Sequence, residues 1–216
     1  MSFDPDTISY VDAIATVRDA HPTMQKRASD KVLKRLDVHC RAILELAPFC
    51  VIATGGGGAG EDAVGLDVSP RGDPPGFIRV LDDQHILLPD RIGNNRFDTY
   101  ANLFADPRIG MLVLVPGMAE TLRINGTARV TDDAELLAPS AVQGRAPQVG
   151  LVITVAEAFL HCAKAINRGG LWDPTKQIDR AAALPSYSKM LADQVDGMSL
   201  EQSLEMDADM QKRGLY

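Results

Sequence analysis

The sequence is poor in the residues on which several classes of protein depend. Aromatic residues make up only 5% of the chain, and the 22 lysines and arginines are outnumbered by 29 aspartates and glutamates, for a formal net charge of −7. A nucleic-acid-binding surface needs a positive field and aromatic side chains for stacking. The composition therefore argues against a nucleic-acid-binding protein.

Cysteines and long apolar runs are also scarce. The three cysteines, Cys40, Cys50 and Cys162, are far apart and show no C-x-x-C spacing, so the sequence predicts neither a disulfide framework nor a zinc or other metal site. No apolar run approaches about eighteen residues, and the first residues lack the basic and apolar regions of a signal peptide. We therefore expect a protein of the reducing cytoplasm that makes no contact with a membrane.

The hydrophobic pattern predicts a mainly β protein with added helices. A 3.6-residue period from Leu33 to Leu44 predicts a helix that ends before Pro48. The short apolar segments that follow predict six or seven strands, at 49–54, 63–68, 76–81, 85–88, 109–115, 121–130 and 150–155. The first four have the spacing of an antiparallel meander. Closely spaced strands with few helices between them are typical of a closed or nearly closed antiparallel barrel.

The apolar content suits one main core with helical additions. The 216 residues are 45% apolar, which is enough for one sizeable core but little for two. We expect three parts: an N-terminal helical extension over 1–47, a barrel domain over 48–168, and a C-terminal helical tail over 169–216. In the tail, Ser199 and Gln202 have the spacing of a capping box. The tail is expected to pack on the barrel or on a partner subunit.

The segment from Leu87 to Pro107 has the layout of an anion-binding site. Four apolar residues in it follow helical spacing: Phe97, Tyr100, Ala101 and Phe104. They predict a helix that begins near Asn95, where the first N–H groups carry the positive end of the helix dipole. Arg91 and Arg96 flank this helix start, a combination that binds phosphate esters. The alternative is a strand–turn–helix junction in which Asn95 only caps the helix.

A second segment, Ser69 to Gly76, places a hydroxyl and a guanidinium close together among glycines and prolines. Taken alone it is equally typical of a surface turn with an exposed arginine. Both segments follow strands of the expected meander, so we expect them at one rim of the barrel. Arg71, Arg91 and Arg96 would then form a local positive cluster in an acidic protein.

Two other motifs have simpler interpretations. The glycine run at 55–60 looks like a phosphate loop, but Glu61 and Asp62 follow it instead of lysine and serine or threonine. We therefore predict a hairpin tip. His161 and Cys162 follow the last predicted strand, and no partner that would activate Cys162 is evident, so we interpret the pair as structural.

The predicted strand at 121–130 alternates between apolar and polar residues, with one face for the core and the other for solvent or a ligand. The polar face carries Arg123 and Asn125. Asn125 and Gly126 would suit a hairpin turn, but the alternation continues through them. We therefore keep them in the strand, where Gly126 lets a ligand or another backbone approach closely.

Several short motifs between residues 30 and 173 occur in an order that indicates a family resemblance. They are VSPRGD at 68–73 with GF at 76–77, LPDRIGNNR at 88–96, DPRIG at 106–110, LRINGTA at 122–128, HCAK at 161–164 and LWD at 171–173. This set resembles the pyridoxamine 5'-phosphate oxidase-like flavoproteins, and more narrowly an uncharacterised FMN-dependent branch of that superfamily. The resemblance implies a six-stranded antiparallel split β-barrel of Greek-key type, a homodimer, and FMN held in a cleft between the subunits.

The resemblance also implies roles for particular residues. The phosphate of FMN would be met by Arg71, Asn94, Asn95 and Arg96. The ribityl chain and isoalloxazine ring would be lined by Ser69, Leu88, Asp90 and Arg91. Arg123 and Asn125 would come from either subunit, and Trp172 would contact the partner subunit. Lys164 or Arg123 would supply the positive charge that stabilises reduced flavin.

These features lead to three hypotheses about function. The first is an FMN-dependent oxidoreductase that exchanges hydride between flavin N5 and a small organic substrate, with no protein nucleophile; its catalytic residues are not predicted. The chain end at 210–216 lacks the Arg-x-His motif expected of a true pyridoxamine phosphate oxidase, which argues against the vitamin substrate. The alternatives are a flavin-binding or storage protein without turnover, and a haem-binding split barrel that uses His161.

Overall fold

The computed structural model describes residues 5, 8–21, 23–24, 26–56 and 65–214. The chain divides into two compact units, Met1–Val32 and Leu33–Tyr216. Among its described residues the first unit contains two short α-helices, α1 (Ile14–Asp19) and α2 (Lys26–Asp30), and the residues of α1 are exposed. Most of the predicted glycine loop, residues 57–60, and the start of the predicted strand at 63–68 lie outside the described residues.

The second unit contains helix α3 (Val38–Leu46), which begins later than the sequence predicted. Asp37 caps it by accepting a hydrogen bond from the backbone N–H of Cys40 at 2.8 Å, and it ends before Pro48 as expected. Leu33 lies outside the helix, because it forms an isolated antiparallel bridge with Ala158. The helical face predicted to be buried does face the core through Cys40, Ile43 and Leu44, and Leu36, just before the helix, is buried as well.

Seven strands form one antiparallel sheet in the second unit. They are β1 (Phe49–Gly55), β2 (Leu66–Gly72), β3 (Arg79–Val80), β4 (His85–Pro89), β5 (Arg108–Leu114), β6 (Thr121–Thr131) and β7 (Gly150–His161). Their spatial order is β2-β1-β5-β6-β7-β4-β3. Each strand overlaps one of the segments predicted from the hydrophobic pattern. The sheet therefore has seven strands, where the resemblance implied six.

The predicted meander of the first four strands is wrong. β1 and β2 form one edge of the sheet, while β3 and β4 form the other. The reason is that β1 also pairs with β5, and β4 pairs with β7. Short spacing along the chain predicted the two hairpins, β1–β2 and β3–β4, but spacing carries no information about which distant strand lies beside each of them.

The helices described after β4 are α4 (Asp98–Ala105), α5 (Ala134–Leu137), α6 (Lys164–Gly169), α7 (Arg180–Ala183), α8 (Tyr187–Gln194) and α9 (Leu200–Arg213). The predicted capping box opens α9: the Ser199 hydroxyl accepts from the Gln202 N–H at 3.1 Å, and the Gln202 side chain accepts from the Ser199 N–H at 2.9 Å. In the part of the chain that the structure describes, no helix is both long and apolar enough to span a membrane.

Strand β6 shows how the sheet separates the core from the opposite face. Leu122, Ile124 and Ala128 are buried, with 2% or less of each exposed, as their alternation predicted. The pairing of β6 with β7 shifts register between Asn125 and Gly126. A Cβ atom on Gly126 would lie 2.0 Å from the Thr154 carbonyl oxygen, so a glycine is needed for β7 to approach this closely.

Candidate functional site

A cavity of about 510 Å³ lies in the second unit between strand β2 and the segment that follows β4. It is lined by 67–72, by Phe77 and by 89–100. These are the two segments that the sequence marked for an anion. Because β2 is one edge strand and β4 is next to the other edge, the sheet must curve strongly to bring them together. The volume falls in the range of about 300–1,000 Å³ usual for small-molecule sites.

Strand β2 continues through Ser69, Pro70 and Arg71, a stretch that the sequence alone left open as a surface turn. Pro70 cannot donate a backbone hydrogen bond, but an edge strand tolerates a proline. Alternate residues of a strand point to the same face. Asp67, Ser69 and Arg71 therefore share the half-buried face of β2, and the cavity lies beside it.

Asp67 and Thr99 connect Arg71 to the start of α4. The hydroxyls of Ser69 and Thr99 both donate to Asp67 Oδ2, at 2.8 and 3.1 Å. Arg71 Nη2 in turn donates to Thr99 Oγ1 at 3.1 Å, and Arg71 Nη1 donates to the Pro70 carbonyl at 2.8 Å. Sequence reasoning missed Asp67 and Thr99. The two-residue spacing of Asp67, Ser69 and Arg71 was a usable signal, but the predicted strand stopped at residue 68.

Helix α4 begins at Asp98, three residues after the position predicted. Asn95 and Phe97 have φ angles of 56° and 60°, in the left-handed region, so the chain is not helical before Asp98. By helix geometry the N–H groups of residues 98–100 have no intrahelical acceptor. A left-handed residue followed by a right-handed one also turns consecutive N–H groups to one side, which creates an anion-binding concavity. The helix start, with these N–H groups, therefore lies three residues later than the sequence predicted.

The three arginines of the expected positive cluster differ in their partners. Arg91 Nε donates to Asp73 Oδ2 at 2.5 Å, and Arg91 Nη2 donates to the Ser140 carbonyl at 2.8 Å. Arg96 is exposed and its Nε donates to Asp98 Oδ2 at 2.7 Å. This bond raises the pKa of Arg96. The cavity is therefore not simply positive, because a carboxylate accompanies each of these two guanidinium groups.

Three further predicted residues, Asp90, Asn94 and Asn95, line the cavity with polar groups. Asn94 Oδ1 accepts from the Arg96 N–H at 3.2 Å, which shapes the turn before α4. Burial and the neighbouring Asp90 carboxylate raise the pKa of Tyr100 well above its usual value, so Tyr100 keeps its proton. Asn95 lines the cavity and is exposed. Leu88 is different, because it is 2% exposed and belongs to the core.

Arg123 and Asn125 lie on the face of β6 opposite the core, and the structure does not bring them to the cavity within this chain. The Arg123 guanidinium carbon is 4.2 Å from the centroid of the Phe159 ring, close enough for a cation–π contact. Asn125 Nδ2 donates to Glu157 Oε2 at 3.3 Å. Both contacts run from β6 to β7, so they hold these polar side chains against the outside of the sheet.

The last predicted residues follow β7. Lys164 is the first residue of α6 and is exposed. Trp172 Nε1 donates to the carbonyl of Met118 at 2.8 Å, a contact inside the same chain. His161 is the final residue of β7, not a residue beyond it, and its ring centroid lies 5.0 Å from that of Phe159.

The model of the pyridoxamine 5'-phosphate oxidase family matches residues 36–162. The match spans more than half of the chain and includes all seven strands of the sheet. The chain therefore belongs to the pyridoxamine 5'-phosphate oxidase family. This confirms the resemblance found in the sequence motifs.

Several solved structures are similar to this chain at low identity. HupZ of Group A Streptococcus is 18% identical, with 58% of this chain and 93% of HupZ covered and a TM-score of 0.45. A Clostridium acetobutylicum protein of the pyridoxinephosphate oxidase family, related to general stress protein 26, is 12% identical, with 57% and 86% covered and a TM-score of 0.42. The FAD binding protein of Mycobacterium smegmatis is 11% identical, with 59% and 95% covered and a TM-score of 0.37. Among curated proteins none matches the chain.

Proposed function

We propose that the chain is a split-barrel flavoprotein that binds FMN, with the phosphate in the cavity between β2 and α4. The observation that carries this proposal is the meeting of Arg71, Arg96 and the start of α4 at one cavity. Guanidinium forks and the N–H groups of a helix start are the donors that phosphate esters prefer. Membership of the pyridoxamine 5'-phosphate oxidase family supports the same conclusion.

The donors present suit a phosphate monoester. In the described part of the chain Arg96 uses Nε to bind Asp98, so its two terminal nitrogens remain for a ligand. Arg71 points along β2 toward Thr99 in the first turn of α4. The amides of Asn94 and Asn95 add neutral donors at the same turn. A phosphate here would be held from both sides, by β2 and by the turn before α4.

The rest of the cavity suits the other parts of FMN. Ser69 and Asp90 line it with oxygen acceptors, which suit the hydroxyls of a ribityl chain. Phe77, Ile92 and Phe97 supply apolar surface for part of a planar ring. Pro89 and Arg91 line the cavity at the end of β4, and we propose that Arg91 and the neighbouring backbone at Leu88 contact the cofactor from there.

We propose an oxidoreductase of small organic substrates. Bound FMN supplies hydride exchange at its N5 atom. The chain's own residues would bind the phosphate and orient the ring, since the two segments that line the cavity supply its polar and apolar groups. Tyr100 holds a proton at its phenol oxygen against Asp90, within the same cavity wall.

We also propose a homodimer that forms through the sheet face opposite the core. Residues paired across strands share a face, and the ladder Pro70–Val51–Leu112–Arg123–Phe159 crosses this face from β2 to β7. It exposes apolar side chains, with Leu66 77% and Val68 67% exposed. Exposed apolar patches mark interaction surfaces, and two-fold dimers are the commonest oligomers. Such a dimer offers Arg123, Asn125 and the elements carrying Lys164 and Trp172 to the partner's flavin.

Titration with FMN and with riboflavin tests the proposed function. Each charge-assisted hydrogen bond to the phosphate contributes about 1.5–3 kcal/mol. FMN should therefore bind at least about tenfold more tightly than riboflavin, and equal affinities would contradict the phosphate site. Bleaching of the bound flavin by NADH, NADPH or a reduced flavin supports turnover. Reduction by dithionite alone would favour a flavin carrier without turnover.

A further inference from the structure

The buried hydroxyl of Thr99 has a defined orientation. Thr99 is 3% exposed and lies in the first turn of α4. A threonine hydroxyl has one proton and two lone pairs. Here the proton goes to Asp67 Oδ2, so an oxygen lone pair is left to accept from Arg71 Nη2. Asp67 thus determines which way the hydroxyl points, and the hydroxyl determines where the Arg71 guanidinium lies.

Among the described residues, Arg71 has little besides Thr99 to hold it in place. Its other hydrogen bond goes to the carbonyl of the neighbouring residue, Pro70, and arginine side chains have large rotamer freedom. Ser69 also donates to Asp67, so the carboxylate is itself held in position. Binding an anion with a guanidinium that is already oriented loses less conformational freedom than binding with a mobile one.

We propose that Asp67 and Thr99 are positioning residues that hold Arg71 toward the cavity, and that this arrangement makes the cavity selective for the phosphorylated flavin. The inference rests on the proposed function. It also explains a carboxylate beside an anion site: Asp67 acts through Thr99, and it compensates the guanidinium charge in the absence of an anion.

The test compares Thr99→Val with the unchanged protein in titrations with FMN and riboflavin. Valine keeps the shape of threonine and removes the hydroxyl. FMN affinity should fall about tenfold, while riboflavin affinity stays the same because it has no phosphate. Thr99→Ser, which keeps the hydroxyl, is the matched control and should bind FMN like the unchanged protein. If the valine variant does not fold, Thr99→Ala removes the same hydroxyl, and the same loss of FMN affinity is expected from it.

A double-mutant cycle separates this proposal from its alternatives. In the Arg71→Ala background, Thr99→Val should weaken FMN by less than about twofold, because the two residues act as one unit. An equal loss with and without Arg71 would mean that Thr99 contacts the ligand directly, and would overturn the positioning role. A loss shared by FMN and riboflavin would overturn it as well. If Arg71→Ala itself left FMN binding unchanged, the proposed phosphate site would fail instead.

Discussion

Arg91 and Asp73 form an ion pair that is largely withdrawn from solvent. Arg91 Nε lies 2.5 Å from Asp73 Oδ2, and the two side chains are 18% and 1% exposed. Because Arg91 also donates to the Ser140 carbonyl, it ties the segment after β4 to the turn at 138–140. Its main role is therefore to hold one wall of the cavity, and it differs in this from the exposed Arg96.

Arg91→Ala should destabilise the fold by about 3–5 kcal/mol, because it removes the guanidinium that pairs with the buried Asp73 carboxylate. Arg96→Ala is the matched control: its pair with Asp98 is exposed, and such pairs contribute about 0–1 kcal/mol. Denaturant unfolding of the three proteins measures the difference. If both variants lost a similar free energy of unfolding, the ion pair between Arg91 and Asp73 would contribute no more to stability than the exposed pair of Arg96.

Asp37→Ala should cost about 1 kcal/mol of stability, since it removes the cap of α3. The Cys40 N–H lowers the pKa of Asp37 from its ordinary value of 3.8. A lowered folded-state pKa adds stability above the unfolded pKa, and this stability is lost as the pH falls through the folded value.

The gap in stability between the unchanged protein and Asp37→Ala should therefore narrow between pH 7 and pH 3. Asp37→Ser, which caps without a charge, serves as the control, because its stability relative to Asp37→Ala should not change with pH. If the difference in stability between the unchanged protein and Asp37→Ala stayed constant over this pH range, Asp37 would not cap α3 through its charged carboxylate.

The three cysteines should differ in reactivity. Burial raises the pKa of Cys40 to about 11 and that of Cys50 to about 12, whereas Cys162 is exposed. Thiolate is the reactive form. At pH 8 a thiol reagent should rapidly modify Cys162 alone in the folded chain, and all three cysteines after denaturation. Cys162→Ser should abolish the rapid phase, and a rapid phase that persists would contradict the burial of the other two.

Leu66→Glu should dissociate the proposed dimer, because it places a charge on the exposed apolar face of β2. Leu46→Glu, at an exposed residue at the end of α3, is the control and should leave the dimer intact. Sedimentation and flavin fluorescence, measured over one dilution series, report the oligomeric state and the bound flavin together. Flavin should be released when the dimer dissociates. A monomer that keeps FMN with unchanged affinity would rule out a shared site.

The sequence predicted local features of the fold well, because they depend on neighbouring residues. The buried faces of α3 and β6, the stop before Pro48 and the capping box at Ser199 each follow from periodicity or from a single side-chain hydrogen bond. Pairing between distant strands does not follow from such local signals. The position of β3–β4 at the edge of the sheet opposite β1–β2 was therefore not predicted.

The candidate site was predictable in part. Residues 69–71 and 90–96 carry arginines beside turn residues, a pattern that predicted an anion site, and they do line one cavity. The burial of Arg91 against Asp73 was not predictable, because Asp73 is 18 residues away and belongs to a different segment. The role of Thr99 was hidden for the same reason: its partner Asp67 is 32 residues earlier in the chain.

The FMN affinities of Arg71→Ala and Arg96→Ala test the phosphate site between β2 and α4 without further assumptions. They are measured by calorimetry beside Arg18→Ala, a control at an exposed residue of α1. Each of the two cavity variants should bind FMN about ten- to a hundredfold more weakly while its fold is retained, and the control should bind like the unchanged protein. If all three variants bound FMN with the affinity of the unchanged protein, the phosphate site between β2 and α4 would be wrong.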